Sequence, residues 1–585
     1  ANYNTGTGVD VFAALTTGDN NTAVGFATLS ANTTGDRNVA VGTNVLDANT
    51  TGRFNTAVGY NSGTGVTTGE ANTFMGDHAG ALTTTASNNT AVGQSAFYAN
   101  TTGDRGVAVG SSALVANTTG TENTALGYLA MDANTTGAAN VAVGSGALGA
   151  NTTANYNNAI GVNALTANTT GTHNNAFGTF SVDANTTGSY NTGIGNYALS
   201  NNSTANYNTA VGYDTLGQNT TGTRNTAVGA LALDAATTAD GNTGLGYGAL
   251  SATTTGSSNI AVGEYAAVSN TTGDANSILG RAALYANTTG SRNSAIGSSA
   301  LNGNTTASDN TALGYNSQFA NTTGAANTSV GSNSLDANTT GYYNNAFGYG
   351  ALGANTTGVQ HVGIGYNALT SNTTGNYNVA VGNYSLQATT TGSGNTAVGY
   401  SCVDANTEGD YNTGVGYGAL GALTHADYNT AVGMNSLNDA TTGGYNTAIG
   451  SFSAQTLTTG ALNTALGYAA LNLNTTGEHN VAVGNSAGAS NTTATHNVLV
   501  GSTAGDGLTT GSSNVAVGFN ALGTDDVGQH CVAVGRDALS AQNTASAANI
   551  YNTAIGSSAG GGLTTGTNNT FIGGLAGHTL SLIHI

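Results

Sequence analysis

Apolar and polar residues follow one another along this chain on a fixed beat. A Val, Ile, Leu, Phe or Met stands directly before a glycine at Gly25, Gly42, Gly59, Gly76 and onward. That glycine recurs every 17 residues from Gly8 to Gly535, then after 21 residues at Gly556 and after 17 at Gly573. With this anchor glycine as position 0, position −1 is apolar in 33 of 34 copies (Thr7 is the exception), and position +4 is most often Leu, as in Leu29, Leu46, Leu114, Leu148 and Leu165. The averaged unit reads Asn-Thr-Ala-Val-Gly-Tyr-Asn-Ala-Leu-x-Ala-Asn-Thr-Thr-Gly-x-x. A fixed period of this length is the mark of a solenoid, in which each turn of chain stacks only on its neighbours.

Within one unit the β-rich runs predict two short strands, Asn-Thr-Ala-Val and Tyr-Asn-Ala-Leu-x-Ala. The anchor glycine makes the bend between them. Asn-Thr-Thr-Gly closes the turn, with its glycine suited to a positive φ. Positions −1 and +4 are the expected core. Ala or Gly at −2 (Ala23, Ala40, Ala57, Gly193) then points the other way on the period-two rule, giving a stripe on which another backbone could pack. Successive coils should pair in parallel about 4.8 Å apart, so that 34 coils make a rod of roughly 160 Å. The expected class is an all-β parallel β-solenoid, one rod over residues 1–573. The four extra residues within Gln542–Ile550, in the irregular coil 536–556, should form a loop pushed out of the stack.

Position −4 is Asn in 31 of 34 copies; Gly106, His361 and Cys531 are the exceptions. Stacked asparagines such as Asn21, Asn38, Asn55 and Asn72 are expected to form a structural ladder, each amide bonding the next coil and the turn backbone. A disordered low-complexity chain has no reason to keep an apolar residue in one slot through 33 copies, so disorder is set aside.

Composition narrows the function classes. Seven basic residues face 27 acidic ones, for a net charge of −20, and the chain lacks lysine, proline and tryptophan. That balance argues against nucleic acid and anionic membrane surfaces as partners. No apolar run approaches the ~20 residues of a membrane span. Cys402 and Cys531 lie about 7.6 coils apart, too far for a disulfide, and Cys402 occupies a small-residue slot, as expected for packing. The opening at Ala1-Asn2-Tyr3-Asn4 reads as a fragment or processed piece. Residues 574–585 leave the repeat, and the ending Ser581-Leu582-Ile583-His584-Ile585 resembles translated adapter sequence.

The strings that look catalytic are weak. Gly484-Asn485-Ser486-Ala487-Gly488 and Gly556-Ser557-Ser558-Ala559-Gly560 match a nucleophile elbow but fall on the repeat's own bend. Gly414-Val415-Gly416-Tyr417-Gly418 has no helix after it. The nine histidines show no metal spacing, and Asp47, Asp132, Asp183, Asp336 and Asp404 share one coil position, read as solvated carboxylates. No catalysis, metal or cofactor is expected.

Two surface features invite a functional reading. Position −5 carries Tyr156, Tyr190, Tyr207, Tyr343, Tyr377, Tyr411, Tyr428 and Tyr445, interspersed with Arg37, Arg105 and Arg224. Such an aromatic and basic ribbon could grip sugars or proteins, or merely cover the turn. The Asn-Thr-Thr turns at Asn32, Asn49, Asn100, Asn117, Asn134, Asn151 and Asn168 are Asn-x-Thr acceptor sequences for glycans, or ordinary turn chemistry.

The Asn-x-Ala-Val/Ile-Gly core resembles the head repeat of trimeric autotransporter adhesins, and the fuller unit resembles repeats of bacterial and phage tail-fibre-like proteins. The resemblance covers nearly the whole chain. It implies a left-handed β-roll, a homo-oligomer (a trimer) or filament, and attachment to a carbohydrate or other cell-surface ligand from an extracellular or virion fibre. The 17-residue coil is longer than the usual adhesin head repeat. The rival readings are an ice-binding solenoid, weakened because Thr33 and Thr34 point to opposite faces of a strand, a glycosylated single-chain fibril, and a polysaccharide-cleaving solenoid, for which the sequence offers no cluster of acids or bases.

Overall fold

The computed structural model describes residues 2–578, so the last seven residues of the tail, including Ser581–Ile585, lie outside the described residues. The chain divides into two compact units, Ala1–Asn293 and Ser294–Ile585. Each is a parallel β-solenoid of 17 strands, one strand per coil. Strands recur every 17 residues and pair in register with the next coil: Thr22, Ala23 and Val24 lie against Val39, Ala40 and Val41, which lie against Thr56, Ala57 and Val58.

Among the described residues each coil forms the first predicted strand and not the second. The run after the anchor glycine is an arc in which left-handed residues alternate with right-handed ones: Ala27 and Leu29 have φ of 51° and 49°, Asn44 and Leu46 of 53° and 50°. A strand cannot hold that alternation. The arc still bonds along the stack, Asn44 N–H donating back to Phe26 O at 2.9 Å and Leu46 N–H forward to Ser62 O at 3.2 Å. Left-handed non-glycine residues are costly one at a time, about 1–2 kcal/mol each. They persist here because every coil repeats the same axial bonds.

The strand faces the opposite way from the sequence expectation. Alanines at −2 are sealed in the interior, with Ala23, Ala40 and Ala57 at 0 % exposure, whereas Val24 at −1 is 38 % exposed and Leu126 46 %. The core is therefore the −2 alanines against the +4 leucines, Leu29, Leu46, Leu114, Leu148 and Leu165 all being buried. The alanine stripe expected on the surface is internal. The interior width explains why: alanine fits opposite leucine, and a ring at −2 stands where +4 shrinks to glycine. Phe74 at −2 is buried beside Gly63 and Gly80, where an added Cβ would come within 2.8 and 2.7 Å of its ring. Leu499 stands in the same relation to Gly488 and Gly505.

The anchor glycine answers to both conformation and space. Gly42 has φ of 138°, and a Cβ there would lie 1.8 Å from Gly59 O of the next coil. The turn glycine, expected at positive φ, is not left-handed. Gly35 and Gly52 sit where the next turn's carbonyl approaches, and Ala86, Ala154 and Ala205 take the same place in other coils.

The 21-residue interval leaves the strand stack undisturbed. Val532, Ala533 and Val534 pair with Thr553, Ala554 and Ile555, while residues 545–549 are exposed as a loop.

Candidate functional site

The −4 asparagines bond from coil to coil as a ladder, buried along the stack and part-exposed at its ends, Asn4 and Asn569. Asn38 N–H donates to Asn21 Oδ1 and Asn55 N–H to Asn38 Oδ1, each at 2.9 Å, while Asn21 Nδ2 donates to Gly35 O at 2.9 Å and Asn38 Nδ2 to Gly52 O at 2.9 Å. Asn72 continues it, its N–H on Asn55 Oδ1 at 3.0 Å. The breaks are filled locally. Phe97 swings its ring into the space left by Gly106, where a Cβ would lie 2.2 Å from Cζ. At Cys531 the buried Gln542 takes over, its Nε2 reaching the Cys531 Sγ at 3.2 Å and its Oε1 accepting from Asn552 at 2.9 Å. His361 accepts the Asn378 N–H at Nδ1, 3.2 Å away; burial pulls its imidazole down to about 4.

The seven candidate glycan acceptors occupy a second internal ladder, which the sequence reading missed. Asn32, Asn49, Asn100, Asn117, Asn134, Asn151 and Asn168 are all at 0 % exposure. Asn49 Nδ2 donates to Asn32 Oδ1 at 3.1 Å and to Gly52 O at 3.2 Å; Asn134 Nδ2 donates to Asn117 Oδ1 at 2.8 Å. The nitrogen that would carry an N-glycan is spent on these bonds and faces inward. The solvent side of the turn is instead the column of Thr34, Thr51 and Thr102, all exposed.

The −5 ribbon is on the surface and its members do meet. Left-handed backbone at this position (Tyr156 φ 60°, Tyr190 φ 61°, Arg37 φ 57°) turns each side chain outward over the one a coil away. Tyr156, His173, Tyr190 and Tyr207 run as a stack with centroids 4.9, 4.8 and 5.2 Å apart. Tyr411, Tyr428 and Tyr445 form another at 5.2 and 5.0 Å. Partial shielding from water, then the phenols of Tyr445 and Tyr411 and the carboxylates of Asp427 and Asp410, raise the Tyr428 hydroxyl above its ordinary value. Tyr343 meets its neighbour Tyr342 edge-on at 5.2 Å; Tyr377 is 59 % exposed. Arg37 lies over the Phe54 ring at 5.2 Å, Arg105 pairs with Glu122 at 2.8 Å, and Arg224 is exposed. Within a stack the ring faces cover one another, so edges and hydroxyls are what a ligand meets.

A second aromatic column at +1 was not singled out from the sequence, although Tyr stands there in the averaged unit. Tyr349 stacks on Tyr366 at 5.5 Å and Tyr400 on Tyr417 at 5.6 Å. Beside the latter pair a shallow groove of about 350 Å³ is lined by Tyr400, Asp404, Tyr417, Gly418, Asn435 and Asn438. Desolvation raises the Asp404 carboxyl, as it does Asp132, Asp183 and Asp336. These carboxylates, expected to be solvated and outward, are half-buried against the arc.

Burial also pushes the Cys402 thiol up to about 12 and raises that of Cys531, so neither is a thiolate at neutral pH. Among the described residues no group of three His, Cys, Asp or Glu side chains is placed to hold a metal ion, and no helix is long and apolar enough to cross a membrane. No family model matches this chain, and no curated protein sequence matches it.

Proposed function

We propose that this chain is the structural and adhesive rod of an extracellular bacterial or phage fibre, presenting a repeated surface for attachment. The observation that carries the reading is the in-register stacking of outward side chains: each column offers the same group once per coil, so a weak contact is multiplied along the stack. The resemblance of the repeat to trimeric autotransporter heads and tail-fibre-like proteins supports the same assignment. The −5 stacks are the proposed grip, with phenol hydroxyls and ring edges turned toward a polyol or protein surface. The test is binding of the purified chain to immobilised bacterial surface polysaccharide. Tyr411→Ala, Tyr428→Ala and Tyr445→Ala together should weaken retention about tenfold or more if the ribbon grips. Unchanged retention in that variant removes the ribbon from the reading, and no retention of the parent chain on any surface polysaccharide or cell wall sinks it.

An ice-binding reading also draws support from one observation. Thr22, Thr56 and Thr90 alternate with buried alanines and Thr73 with buried Phe74, and so all four share the outer face of the strand with the −1 apolar residues. The objection that adjacent threonines diverge does not apply to this column. A thermal-hysteresis assay on the full chain decides it.

A further inference from the structure

Within each unit, the outer face of the strand stack is covered by none of the described residues. Positions −3 and −1 project from it, and none of their 34 copies is charged. The −1 column is part-exposed apolar surface: Phe177, Val24, Ile194, Leu245, Leu126 and Leu279 are 37–52 % exposed, and rows such as Val41, Val58, Val211 and Val415 are half-buried. At roughly 60 Å² per row, this column alone exposes on the order of 1,000 Å² in each 17-row unit, beyond the ~800 Å² that one partner contributes to a standard interface. Soluble monomers rarely show a contiguous apolar patch above a few hundred Å².

We infer that this face is the pairing surface for a second copy of the same chain, sheet against sheet. Three observations select that occupant. The face lacks charge, so an acidic or basic partner finds nothing to read. Its side chains repeat once per coil for 17 rows, and a partner must carry the same period to keep contact along that length; another copy does. Each unit offers one such face, and a single self-complementary face closes as an isologous pair. Two copies cover both faces. A ring of three needs two different faces per chain, so the inference departs from the trimer that the resemblance implies.

The test is the mass of the full chain by sedimentation at several concentrations. Twice 57.0 kDa is expected. Val211→Lys, Val228→Lys, Val415→Lys and Val432→Lys, all on the outer face, should raise the concentration for half-dissociation at least tenfold, with the β-signature in circular dichroism unchanged. Thr221→Lys, Thr238→Lys, Thr442→Lys and Thr459→Lys put the same charge on the exposed turn and should leave the pair intact. A monomer at every concentration, a three-chain species, or a pair broken by the turn lysines and not by the face lysines overturns the inference. So does a monomer whose thermal hysteresis the face lysines abolish, because the face then orders water. The outcome is separable from the fibre reading: a dimer that attaches to nothing sinks only the fibre, and a monomer that attaches sinks only the pair.

Discussion

His361 shows how much one residue can change in a repeated scaffold. It stands where 31 other coils place Asn, fully buried, with its ring held neutral by desolvation and its pKa lowered to about 4. Unfolded, the same imidazole titrates near 6.5. The sign follows: above 6.5 both states are neutral and the coil keeps its full stability. Between 6.5 and 4 only the unfolded state takes the proton, so stability falls with pH; below 4 it levels off. The total is on the order of 3 kcal/mol. His361→Asn should remove this dependence, so the stability gap between variant and parent, measured by denaturant unfolding, should widen by roughly 2–3 kcal/mol from pH 7.5 to 4.5. An unchanged gap would show that His361 is not the proton acceptor. Asp183 runs the other way. Desolvation raises its carboxyl, and its Oδ1 is buried without a hydrogen-bond partner. The native state then holds its proton to higher pH than the unfolded chain does. Stability is greatest below the unfolded value and falls as pH rises through the raised one. Asp183→Asn is expected to raise the melting temperature at pH 7 and to change it little at pH 3.

One coil is decided by the pairing of −2 with +4, and here the sequence was legible in part. Period two correctly placed −2 and −1 on opposite faces. It does not say which face is inside, and residue size alone points to −1 as the core. The readable signal lay in the exceptions: Phe74 stands at −2 where both Gly63 and Gly80 replace the leucine at +4. Large at one place and absent at the other is the pattern of two side chains sharing one volume. The second strand was misread because Ala27 and Leu29 look β-compatible by type, while their left-handed backbone is set by axial bonds from neighbouring coils, which no single unit contains. For the same reason Asn32 read as a turn acceptor, although its amide serves the next coil. Compensation makes a sharp prediction. Phe74→Ala alone should cost about 3–5 kcal/mol, and Gly63→Leu with Gly80→Leu alone should overpack the ring. All three substitutions together restore the common unit and should recover most of the loss. A triple variant no better than the sum of its parts in denaturant unfolding would mean the three positions do not share a volume.

For the whole molecule, the 17-residue period is a physical constraint and not merely a statistical one. Within each unit the described coils bond to the coil before and after, so stability is close to a sum of coil terms and nearest-neighbour terms. Deleting residues 209–225 removes one complete coil from the first unit. The strand Thr192–Ile194 would then meet Thr226–Val228 with every column still aligned: Asn on Asn, Ala on Gly, Val on Ile. That variant should keep its circular dichroism per residue and melt within a few degrees of the parent. Deleting 16 residues, 209–224, brings the same two coils together one residue out of step. A one-residue slip in a strand exchanges its inner and outer faces: alanine would leave the interior, the outer aliphatic would enter it, and the two Asn ladders would lose their partners. The insertion before Gly556 shows the one tolerated escape, since its extra residues are expelled as a loop and the strands re-pair in register. A missing residue has no such escape, because the arc has no slack to donate. The 16-residue deletion should therefore lower the melting temperature markedly and open a site of fast amide exchange at the junction, while the 17-residue deletion opens none. Equal behaviour of the two deletions would mean that column register does not hold the stack together.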